Sequence, residues 1–396
     1  MTVDSSNNVV VTGTAVTLKY DTKGNQLWTA PYSGASVAVD ADENSYVTGC
    51  QSGSVTVKLN PSGSNLWSTS FSSAYGPALL QAIVVDGGGN AYVAGSETNI
   101  CYPYGSYESC YTGLLSVKYG SLGNQLWNNV VPMNTAPTVR VAGLAIDSTN
   151  VYVLASGYLQ PGLSFAYSAN GDTLWGSGPI FNMVSLGGLA IDASSRVTIV
   201  GTAVPAANNY PNTSLTTVRL DTNGTPSWTN YFPLSPAAFS GAGSVAIDQS
   251  SGIYVTGYSP GTNGTNNVVT IKYSPNGSQL WVQQYNGLNT GNDAGNAIAV
   301  DKNGNVYVTG YETLPGGGTG IVTIKYIPIS IQHQTNGTVL IETQGTPGEM
   351  FDIEASTNLQ TWLDLGTVTA DTNGLMQFDD TNAAHLSARF YVPKPQ

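Results

Sequence analysis

The stretch Val300–Gly310, with the sequence VDKNGNVYVTG, decides the fold class of this chain. Its pattern is an aspartate, a short polar turn and a Tyr-Val-Thr-Gly-like run, and it also occurs at Val39–Gly49 as VDADENSYVTG. The mean spacing between copies is about 50 residues, which is typical of a protein built from structural repeats. The aspartates of the seven copies are Asp4, Asp40, Asp86, Asp147, Asp192, Asp248 and Asp301.

A second motif follows each copy of the first. It consists of a Thr-Val-Lys-Tyr-like run, a glycine-containing turn and a Leu-Trp pair, as in Lys19–Trp28. The fourth copy has Ala166 in place of the cation, and the seventh ends at Lys325 and Tyr326 without a Leu-Trp pair. Alternating apolar and polar residues, rich in β-branched types and separated by Gly/Asn turns, predict four short strands A, B, C and D per repeat.

Seven copies of a four-stranded unit predict an all-β fold, a seven-bladed β-propeller with four-stranded antiparallel blades. The pattern resembles the SBBP repeat family, which implies a propeller domain over residues 1–326 and a bacterial protein of the surface or secreted class. Blade seven has no standard strand D, and we expect the run Ile327–Ile331 to replace it.

Residues 327–396 have a different character, because the propeller motifs stop there. Their distinctive segments are Phe351–Leu359, Trp362–Leu365, Phe378–Asp380 and Arg389–Tyr391. These resemble a small β-sandwich module at the C-termini of secreted proteins from Verrucomicrobia-like bacteria, although Val392 replaces its usual basic residue. The resemblance implies a C-terminal β-sandwich of the immunoglobulin or fibronectin-III type and an exported protein.

Composition excludes several function classes. The chain has 9% charged residues and a formal charge of −12 without a Lys/Arg cluster, which argues against nucleic-acid binding. It has no run of about 18 apolar residues, so we expect no transmembrane segment. Met1–Ser5 lacks the basic and apolar regions of a signal peptide. We predict an extracellular or cell-surface monomer.

The three cysteines are Cys50, Cys101 and Cys110. Cys101 and Cys110 bracket one aromatic segment and can form a local disulfide, which would leave Cys50 unpaired. Neither CxxC nor paired Cys/His spacing occurs, so we expect no metal site. The C–D turn is also similar to the tryptophan-docking repeat of quinoprotein dehydrogenases, but without adjacent cysteines we expect no quinone or other cofactor.

The repeated side chains favour structural roles over functional ones. A calcium loop would need a glutamate downstream of Asp301, and none is present, so we expect each aspartate to accept hydrogen bonds within its own turn. We expect the cation of each repeat to form ion pairs or hydrogen bonds near that turn. One tryptophan per blade fits packing between blades better than sugar stacking. These structural residues are Asp40, Asp86, Asp147, Asp192, Asp248, Asp301, Trp28, Trp67, Trp127, Trp175, Trp228 and Trp281.

Strand order places the short, uniform A–B and C–D turns on one face and the variable B–C and D–A loops on the other. Binding usually occurs at variable loops on a rigid scaffold, so we assign function to the B–C/D–A face. The longest B–C loop is predicted from Ser96 to Gly113. It either binds a ligand, because tyrosines give rigid amphipathic contact area, or packs on itself over the propeller mouth. Its candidate binding residues are Tyr102, Tyr104, Tyr107, Glu108 and Tyr111.

Catalytic motifs are scarce. The string Gly257–Gly261 satisfies GxSxG, but it falls in a propeller B–C loop rather than on a strand-to-helix elbow. His333 and His385 lie outside the repeats, which excludes a Ser-His-Asp triad within the ring. Acids are sparse on the variable face, where Asp293 and Glu312 are the candidates.

We therefore expect a non-enzymatic secreted or surface propeller that serves as an adhesion, scaffold or carbohydrate- or protein-binding module. The alternative is an extracellular propeller hydrolase or lyase that acts on polysaccharide, with a carboxylate pair at its centre.

Overall fold

A computed structural model provides the structure of this chain. It describes residues 1–50, 53–73, 78–104, 107–133, 139–157, 160–177, 183–204, 213–232, 239–261, 264–287, 291–327, 329–344, 347–357, 361–372, 374–383 and 389–395. The backbone alone is described at 99–104, 107–111, 133, 157, 160, 161, 177, 330, 344 and 395.

Repeats 1 to 6 each form one four-stranded sheet in the described residues, with the strands side by side in chain order and antiparallel. Repeat 7 forms a three-stranded sheet. Repeats 1 to 3 contain β1 (Thr2–Val3), β2 (Val9–Thr12), β3 (Thr17–Tyr20), β4 (Gln26–Ala30), β5 (Ser36–Val39), β6 (Ser45–Cys50), β7 (Val55–Leu59), β8 (Asn65–Ser70), β9 (Ala78–Val85), β10 (Ala91–Tyr104), β11 (Tyr107–Tyr119) and β12 (Gln125–Met133). Repeats 4 to 7 contain β13 (Val139–Ile146), β14 (Asn150–Gly157), β15 (Gln160–Ser168), β16 (Thr173–Ser177), β17 (Met183–Ile191), β18 (Val197–Ala203), β19 (Ser214–Leu220), β20 (Pro226–Phe232), β21 (Gly241–Ile247), β22 (Ile253–Pro260), β23 (Asn266–Tyr273), β24 (Gln279–Tyr285), β25 (Ala294–Val300), β26 (Val306–Thr313) and β27 (Thr319–Tyr326).

The core lies between successive sheets. The two central strands of repeat 5, β18 and β19, are buried along their whole length, whereas the fourth strand of repeat 2, β8, is largely exposed. Each apolar cluster joins one sheet to the next. For example, Val10 and Ala30 of repeat 1 pack with Val47, Val57 and Leu59 of repeat 2. Both faces of a middle sheet are therefore covered, which explains the low charge of the chain.

The glycine that ends the Tyr-Val-Thr-Gly run has a packing role. A Cβ on Gly257 would lie 2.0 Å from the carbonyl oxygen of Gly241, and one on Gly310 would lie 1.9 Å from that of Ala294. The pairing register shifts beside Gly257, between Ala242 and Ser244. The first strand thus bulges towards the second, and only glycine allows this approach.

Two predictions about segments are wrong. Residues 96–104 and 107–113 do not form a loop, because they belong to β10 and β11, which pair as far as Tyr104 and Tyr107. The run Ile327–Ile331 does not supply a fourth strand to repeat 7, because Ile329–His333 pairs with Val339–Gln344 instead. The apolar run after repeat 7 therefore belongs to the C-terminal sheets.

The chain divides into two compact units, one of residues 1–298 and 309–322 and one of 299–308 and 323–396. The C-terminal residues of the second unit form two three-stranded sheets. The strands of one, in spatial order, are Ile329–His333, Val339–Gln344 and Leu375–Asp380, and those of the other are Leu363–Thr369, Met350–Ser356 and Phe390–Pro395. Phe351 and Ile353 of one sheet and Val339 and Ile341 of the other belong to a single apolar cluster. A boundary at residue 326 stays a prediction. The strands of these sheets are β28 (Ile329–His333), β29 (Val339–Gln344), β30 (Met350–Ser356), β31 (Leu363–Thr369), β32 (Leu375–Asp380) and β33 (Phe390–Pro395).

Across the described residues, no helix has the length and apolar character that crossing a membrane requires.

Candidate functional site

The repeated aspartate organises the turn between the first two strands of its repeat. Asp40 Oδ1 accepts hydrogen bonds from the backbone N–H groups of Asp42 (3.1 Å) and Asn44 (2.8 Å). Its Oδ2 accepts from Asn44 Nδ2 and from the hydroxyl of Tyr46, each at 2.9 Å. The same carboxylate-to-backbone pattern occurs at Asp4, Asp86, Asp147, Asp192, Asp248 and Asp301.

In repeats 1, 2, 3, 5 and 6 the cation of strand C lies directly opposite a residue of strand B. Lys58 pairs with Tyr46 across β6 and β7, and its Nζ is 4.8 Å from the centroid of the Tyr46 ring and 3.4 Å from Asp40 Oδ2. Lys118 and Lys272 lie over Tyr92 and Tyr254 at 4.7 and 4.8 Å. These are cation–π distances, and each lysine therefore helps to hold its own turn.

Several of these cations are buried. Lys19 is 2% exposed and its Nζ is 2.7 Å from Asp4 Oδ2, while Arg219 is 1% exposed and paired with Asp192. Lys118 donates to the carbonyl oxygen of Ala169 in the next repeat at 2.9 Å. The predicted ion pairs and hydrogen bonds of the cations are thus confirmed for these residues, and also for Lys58 and Lys272.

Hydrogen bonds lower the pKa of the repeated aspartates Asp40 and Asp147. Burial alone would raise the pKa of Asp40, but hydrogen bonds from Asn44 and Tyr46 and the charge of Lys58 outweigh it and lower that pKa. The same competition lowers the pKa of Asp147 to about 2, with hydrogen bonds from Ser195, Thr149 and Tyr152. A lowered pKa favours the ionised form of Asp40 and Asp147, and the oxygens of both side chains accept hydrogen bonds.

The tryptophan of one repeat contacts the C–D turn of the next. Trp28 Nε1 donates to the carbonyl oxygen of Pro61 at 2.9 Å, and a Cβ on Gly63 would lie 2.8 Å from the Trp28 ring. In the same way Trp67 donates to Ser121 at 3.0 Å. The structure gives these indoles contacts between repeats, which leaves Nε1 without capacity for a ligand.

No cluster of three or more His, Cys, Asp or Glu side chains able to hold a metal ion occurs among the described residues.

On the opposite edge of the sheets, the hairpin of repeat 3 extends well beyond the others. Its strands contain 14 and 13 residues, whereas the corresponding strands of repeat 2 contain 6 and 5. Pairing joins Tyr104 to Tyr107, Tyr102 to Ser109 and Ile100 to Tyr111. Because directly paired residues share a face and alternate residues along a strand do so too, the four tyrosine positions lie on one face.

The other face of this hairpin has different residues. Cys101 is paired with Cys110 and Pro103 with Glu108. The register therefore separates Glu108 from the tyrosines with which the sequence grouped it. The side chains of the hairpin, including those of Tyr102, Tyr104, Tyr107, Glu108, Tyr111, Cys101 and Cys110, lie outside the described residues.

Asp293 and Glu312 come together around Gly287. Asp293 is fully buried, and its Oδ2 and Oδ1 accept from the backbone N–H groups of Gly287 (2.7 Å) and Thr313 (2.9 Å). Glu312 Oε2 accepts from the Tyr285 hydroxyl at 3.1 Å. Both carboxylates lie within 3.0 Å of the position of a Cβ on Gly287. Asp293 connects the segment at Gly287 to the end of β26, and both of its oxygens accept hydrogen bonds from the backbone.

Sequence reasoning missed Tyr285 and Gly287 as partners of these acids. The aromatic residue that ends the Leu-Trp-x-x-x-Tyr run was the available signal for Tyr285.

Glu97 is a buried acid on this edge, with one carboxylate oxygen that has no hydrogen-bond partner among the described residues. It is 1% exposed, at the base of the repeat 3 hairpin where it pairs with Gly113, and Oε1 has no hydrogen-bond partner among the described residues. Burial raises the pKa of its carboxyl group.

A comparison with models of known protein families agrees with the fold. Residues 280–311 match the model of the SBBP family, described as a beta-propeller repeat. A comparison with curated proteins finds no match.

Two of the similar solved structures are proteins of unknown function. One, from Bacteroides caccae, is 12% identical and covers 70% of this chain and 92% of its own, with a TM-score of 0.39. Another, from Dyadobacter fermentans, is 11% identical and covers 69% and 91%, with a TM-score of 0.40.

The matched segment 280–311 contains the Leu-Trp strand of repeat 6 and the aspartate turn of repeat 7. These are the two motifs whose copies build the other sheets. The fold of this chain is a β-propeller, and the chain carries the SBBP propeller repeat.

Proposed function

We propose that this chain is a non-enzymatic, secreted or cell-surface binding module that recognises carbohydrate or protein through the B–C/D–A face. The observation that carries the proposal is the hairpin register, which places Tyr102, Tyr104, Tyr107 and Tyr111 on one face. Tyrosine gives large amphipathic contact area at low entropic cost, and a row of four suits an extended ligand.

The scaffold proposed for this function is a seven-bladed propeller followed by a β-sandwich. Seven sequence repeats support the blade number, and apolar clusters between successive sheets join repeats 1 to 6. The two C-terminal sheets that share one apolar cluster support a sandwich. Export and a monomeric state are proposed from the repeat family that the sequence resembles and from the polar surface.

The dimensions of the hairpin suit this role. From Ile100 to Tyr104 the strand advances about 13 Å, so three positions on that face follow one another at intervals of about 7 Å. Backbone pairing holds these positions in line, which lowers the cost of ordering them on binding.

A positioning role beside the binding face fits Asp293 better than catalysis does. A general acid or nucleophile must reach the substrate, whereas the Asp293 carboxylate is fully buried and accepts two backbone hydrogen bonds. We therefore propose that this acid positions the loops beside the binding face.

The test uses the full chain on a glycan array and in a reducing-end assay with a panel of polysaccharides. We expect binding without turnover. The double variant Tyr104→Ala/Tyr107→Ala should lose at least tenfold in affinity. The matched control is Glu108→Gln, which alters the opposite face at the same level of the hairpin and should bind as the unmodified chain does.

Equal binding by Tyr104→Ala/Tyr107→Ala and the unmodified chain, with both variants folded by thermal melting, would contradict the proposed site. Turnover that is lost in Glu312→Gln would instead favour the polysaccharide hydrolase or lyase.

A further inference from the structure

Glu97 lies where the hairpin of repeat 3 leaves its sheet. It pairs with Gly113 of β11 and with Ala78, the first residue of β9. We call these three residues the base of the hairpin. Immediately after Glu97 the register shifts, so that residues 98 and 99 stand opposite Thr112 alone. A bulge of this kind bends a strand and disrupts the ladder locally, so Glu97 marks a bend between the sheet and the hairpin.

The surroundings of the Glu97 side chain are apolar. Paired and alternate residues share a face, which places Glu97 on the same face as Ala78 and Leu115. Both belong to the apolar cluster between repeats 2 and 3, together with Phe71. Glu97 is 1% exposed, and its Oε1 has no hydrogen-bond partner among the described residues. An ionised carboxylate is costly in such a place, because burial removes it from solvent.

The equivalent acid of repeat 7 has a donor that Glu97 lacks. Glu97 and Glu312 each lie two residues after the glycine of the Tyr-Val-Thr-Gly-like run. Glu312 Oε2 accepts a hydrogen bond of 3.1 Å from Tyr285, and both residues belong to the compact unit of residues 1–298 and 309–322. Tyr285 lies four residues after the tryptophan of the preceding repeat, and the same position of repeat 2 is Phe71. Phenylalanine has the ring of tyrosine without its hydroxyl, so this position offers Glu97 no donor.

The strands of repeat 3 bring no charge to the base of the hairpin among the described residues. The strands β8, β9 and β12 and residues 71–73 contain no acidic, basic, cysteine or tyrosine residue. On β11, Lys118 lies on the opposite face, over the ring of Tyr92. Tyr119 shares the face of Glu97, but it is about 20 Å away along the strands.

The titratable groups of repeat 2 are engaged elsewhere. The Tyr46 hydroxyl donates to Asp40, and Lys58 lies over the Tyr46 ring, at the turn end of the sheet. Cys50 belongs to the cluster between repeats 1 and 2, on the other face of that sheet. Burial raises the pKa of Glu97, and no described charge opposes this effect.

We infer that the base of the hairpin is closed while Glu97 is protonated and opens to solvent when Glu97 loses its proton to water. The closed base binds the proton more tightly than the open base, in which the pKa of the carboxyl is close to the ordinary value of about 4.3. The closed form therefore becomes less favourable as the pH rises above about 4, and the change ends above the pKa of the closed form.

The consequence for ligand recognition rests on the proposed function, because the four tyrosine positions lie on this hairpin. A closed base holds the hairpin in the register that aligns them. Binding through the tyrosine face is then tighter at acidic pH, where the closed form is already populated.

The experiment measures hydrogen exchange of the β10 and β11 amides in the full chain between pH 4.5 and pH 7.5, corrected for the intrinsic exchange rate at each pH. Low urea concentrations distinguish local opening from global unfolding, because only global unfolding exposes a large surface and responds strongly to urea. The amides of β18 and β19 serve as the reference for global unfolding. We expect the protection of the hairpin amides to fall about threefold or more over this range, with little urea dependence.

Three variants assign the effect to Glu97. Glu97→Gln keeps the shape of the side chain but cannot ionise, so its protection should not depend on pH. Phe71→Tyr supplies the hydroxyl that Tyr285 supplies to Glu312, and it should reduce the pH-dependent change by about half or more, because the ionised carboxylate then has a donor in the closed form. Glu312→Gln is the matched control, because it removes the equivalent acid of another repeat, and it should leave the pH dependence of β10 and β11 intact.

Protection of β10 and β11 that is independent of pH in the unmodified chain would overturn the inference. So would a pH dependence that persists in Glu97→Gln, or exchange with the urea dependence of β18 and β19. If Glu97→Gln does not fold, an unchanged pH dependence in Phe71→Tyr overturns the inference in its place. None of these measurements uses a ligand, so a failure of the proposed binding function is detected separately, on the glycan array.

Discussion

Arg219 Nη1 donates a hydrogen bond of 2.5 Å to Thr198 Oγ1, directly opposite on the neighbouring strand. The same cross-strand position pairs Lys58 with Tyr46 in repeat 2. Repeat 5 therefore replaces both members of the pair, and the longer guanidinium reaches Asp192 as well as the threonine that stands where tyrosine would be.

Arg219→Lys should destabilise the protein by about 2–3 kcal/mol, because it leaves a buried hydroxyl without its donor and weakens the contact with Asp192. The double variant Thr198→Tyr/Arg219→Lys, which restores the residues of repeats 2, 3 and 6, should recover at least half of this loss. Urea unfolding of the single and double variants measures the coupling. Additive effects would show that the two positions are independent.

The aspartate turns should make the protein acid-sensitive over a defined range. Hydrogen bonds lower the pKa of Asp40 and Asp86, and that of Asp147 to about 2, below the value of roughly 3.9 for unfolded aspartate. Their stabilisation is therefore complete above about pH 4 and lost as the pH falls towards 2. Asp147→Asn should reduce the slope of unfolding free energy against pH by almost one proton in this range. An unchanged slope, measured by urea unfolding at several pH values, would contradict the stabilising role of this carboxylate.

Gly123→Ala and Gly24→Ala form a matched pair of turn variants. Both glycines have positive φ, at +88° and +82°. A Cβ on Gly123 would lie 2.8 Å from the Trp67 ring, whereas one on Gly24 meets no described atom within 4 Å. We expect a loss of about 1 kcal/mol for Gly24→Ala from the backbone and about 2–3 kcal/mol for Gly123→Ala. Equal losses in chemical unfolding would refute the role of the indole contact.

Replacing Glu97 should stabilise the protein at neutral pH. Its buried carboxyl has a raised pKa and an oxygen without a partner among the described residues, so ionisation is costly in the folded state. Glu97→Gln should raise the urea midpoint at pH 7, with a gain of about 1 kcal/mol. The gain should shrink as the pH falls, because the unmodified side chain then becomes neutral. A gain independent of pH would point to packing instead.

The cysteines should react differently with a thiol reagent. Burial raises the pKa of Cys50 to about 11, so its thiol should not react in the native protein at pH 8. Cys101 and Cys110 occupy directly paired positions on neighbouring strands, where a disulfide can form. In denaturant without reductant, we expect one reactive thiol per chain. Three thiols would exclude the disulfide.

Repeat spacing and turn chemistry were sufficient to predict the sheets of repeats 1 to 6 and the order of their strands, because the same local preferences occur independently in each repeat. The Asp40 turn and the Trp28 contact follow from residue type. An aspartate before a turn and an indole with a single N–H have few hydrogen-bond partners within reach. The need for glycine at the end of the Tyr-Val-Thr-Gly run could not be predicted. It results from the close approach of β21 to Gly257, which local sequence does not encode.

The hairpin of repeat 3 shows where prediction from composition fails. Tyrosine, proline and cysteine in residues 96–113 indicated a loop, yet residues 100–104 pair directly with residues 107–111. Register, which composition cannot give, then separates Glu108 from Tyr107. Asp293 was a candidate because of its charge. Only the fold reveals that its carboxylate accepts hydrogen bonds from the backbone N–H groups of Gly287 and Thr313.

The contact between an indole and the next repeat's turn has a direction, since the donor and the acceptor are different parts of the unit. A newly duplicated unit therefore brings both halves of the contact with it and joins its neighbours without compensating mutations. Such a head-to-tail contact ends either in a closed circle or in one unused acceptor and one unused donor position. The contact between Trp28 and the turn at Gly63 is therefore compatible with tandem duplication of repeats. The same contact places no limit on the number of repeats until the ring closes.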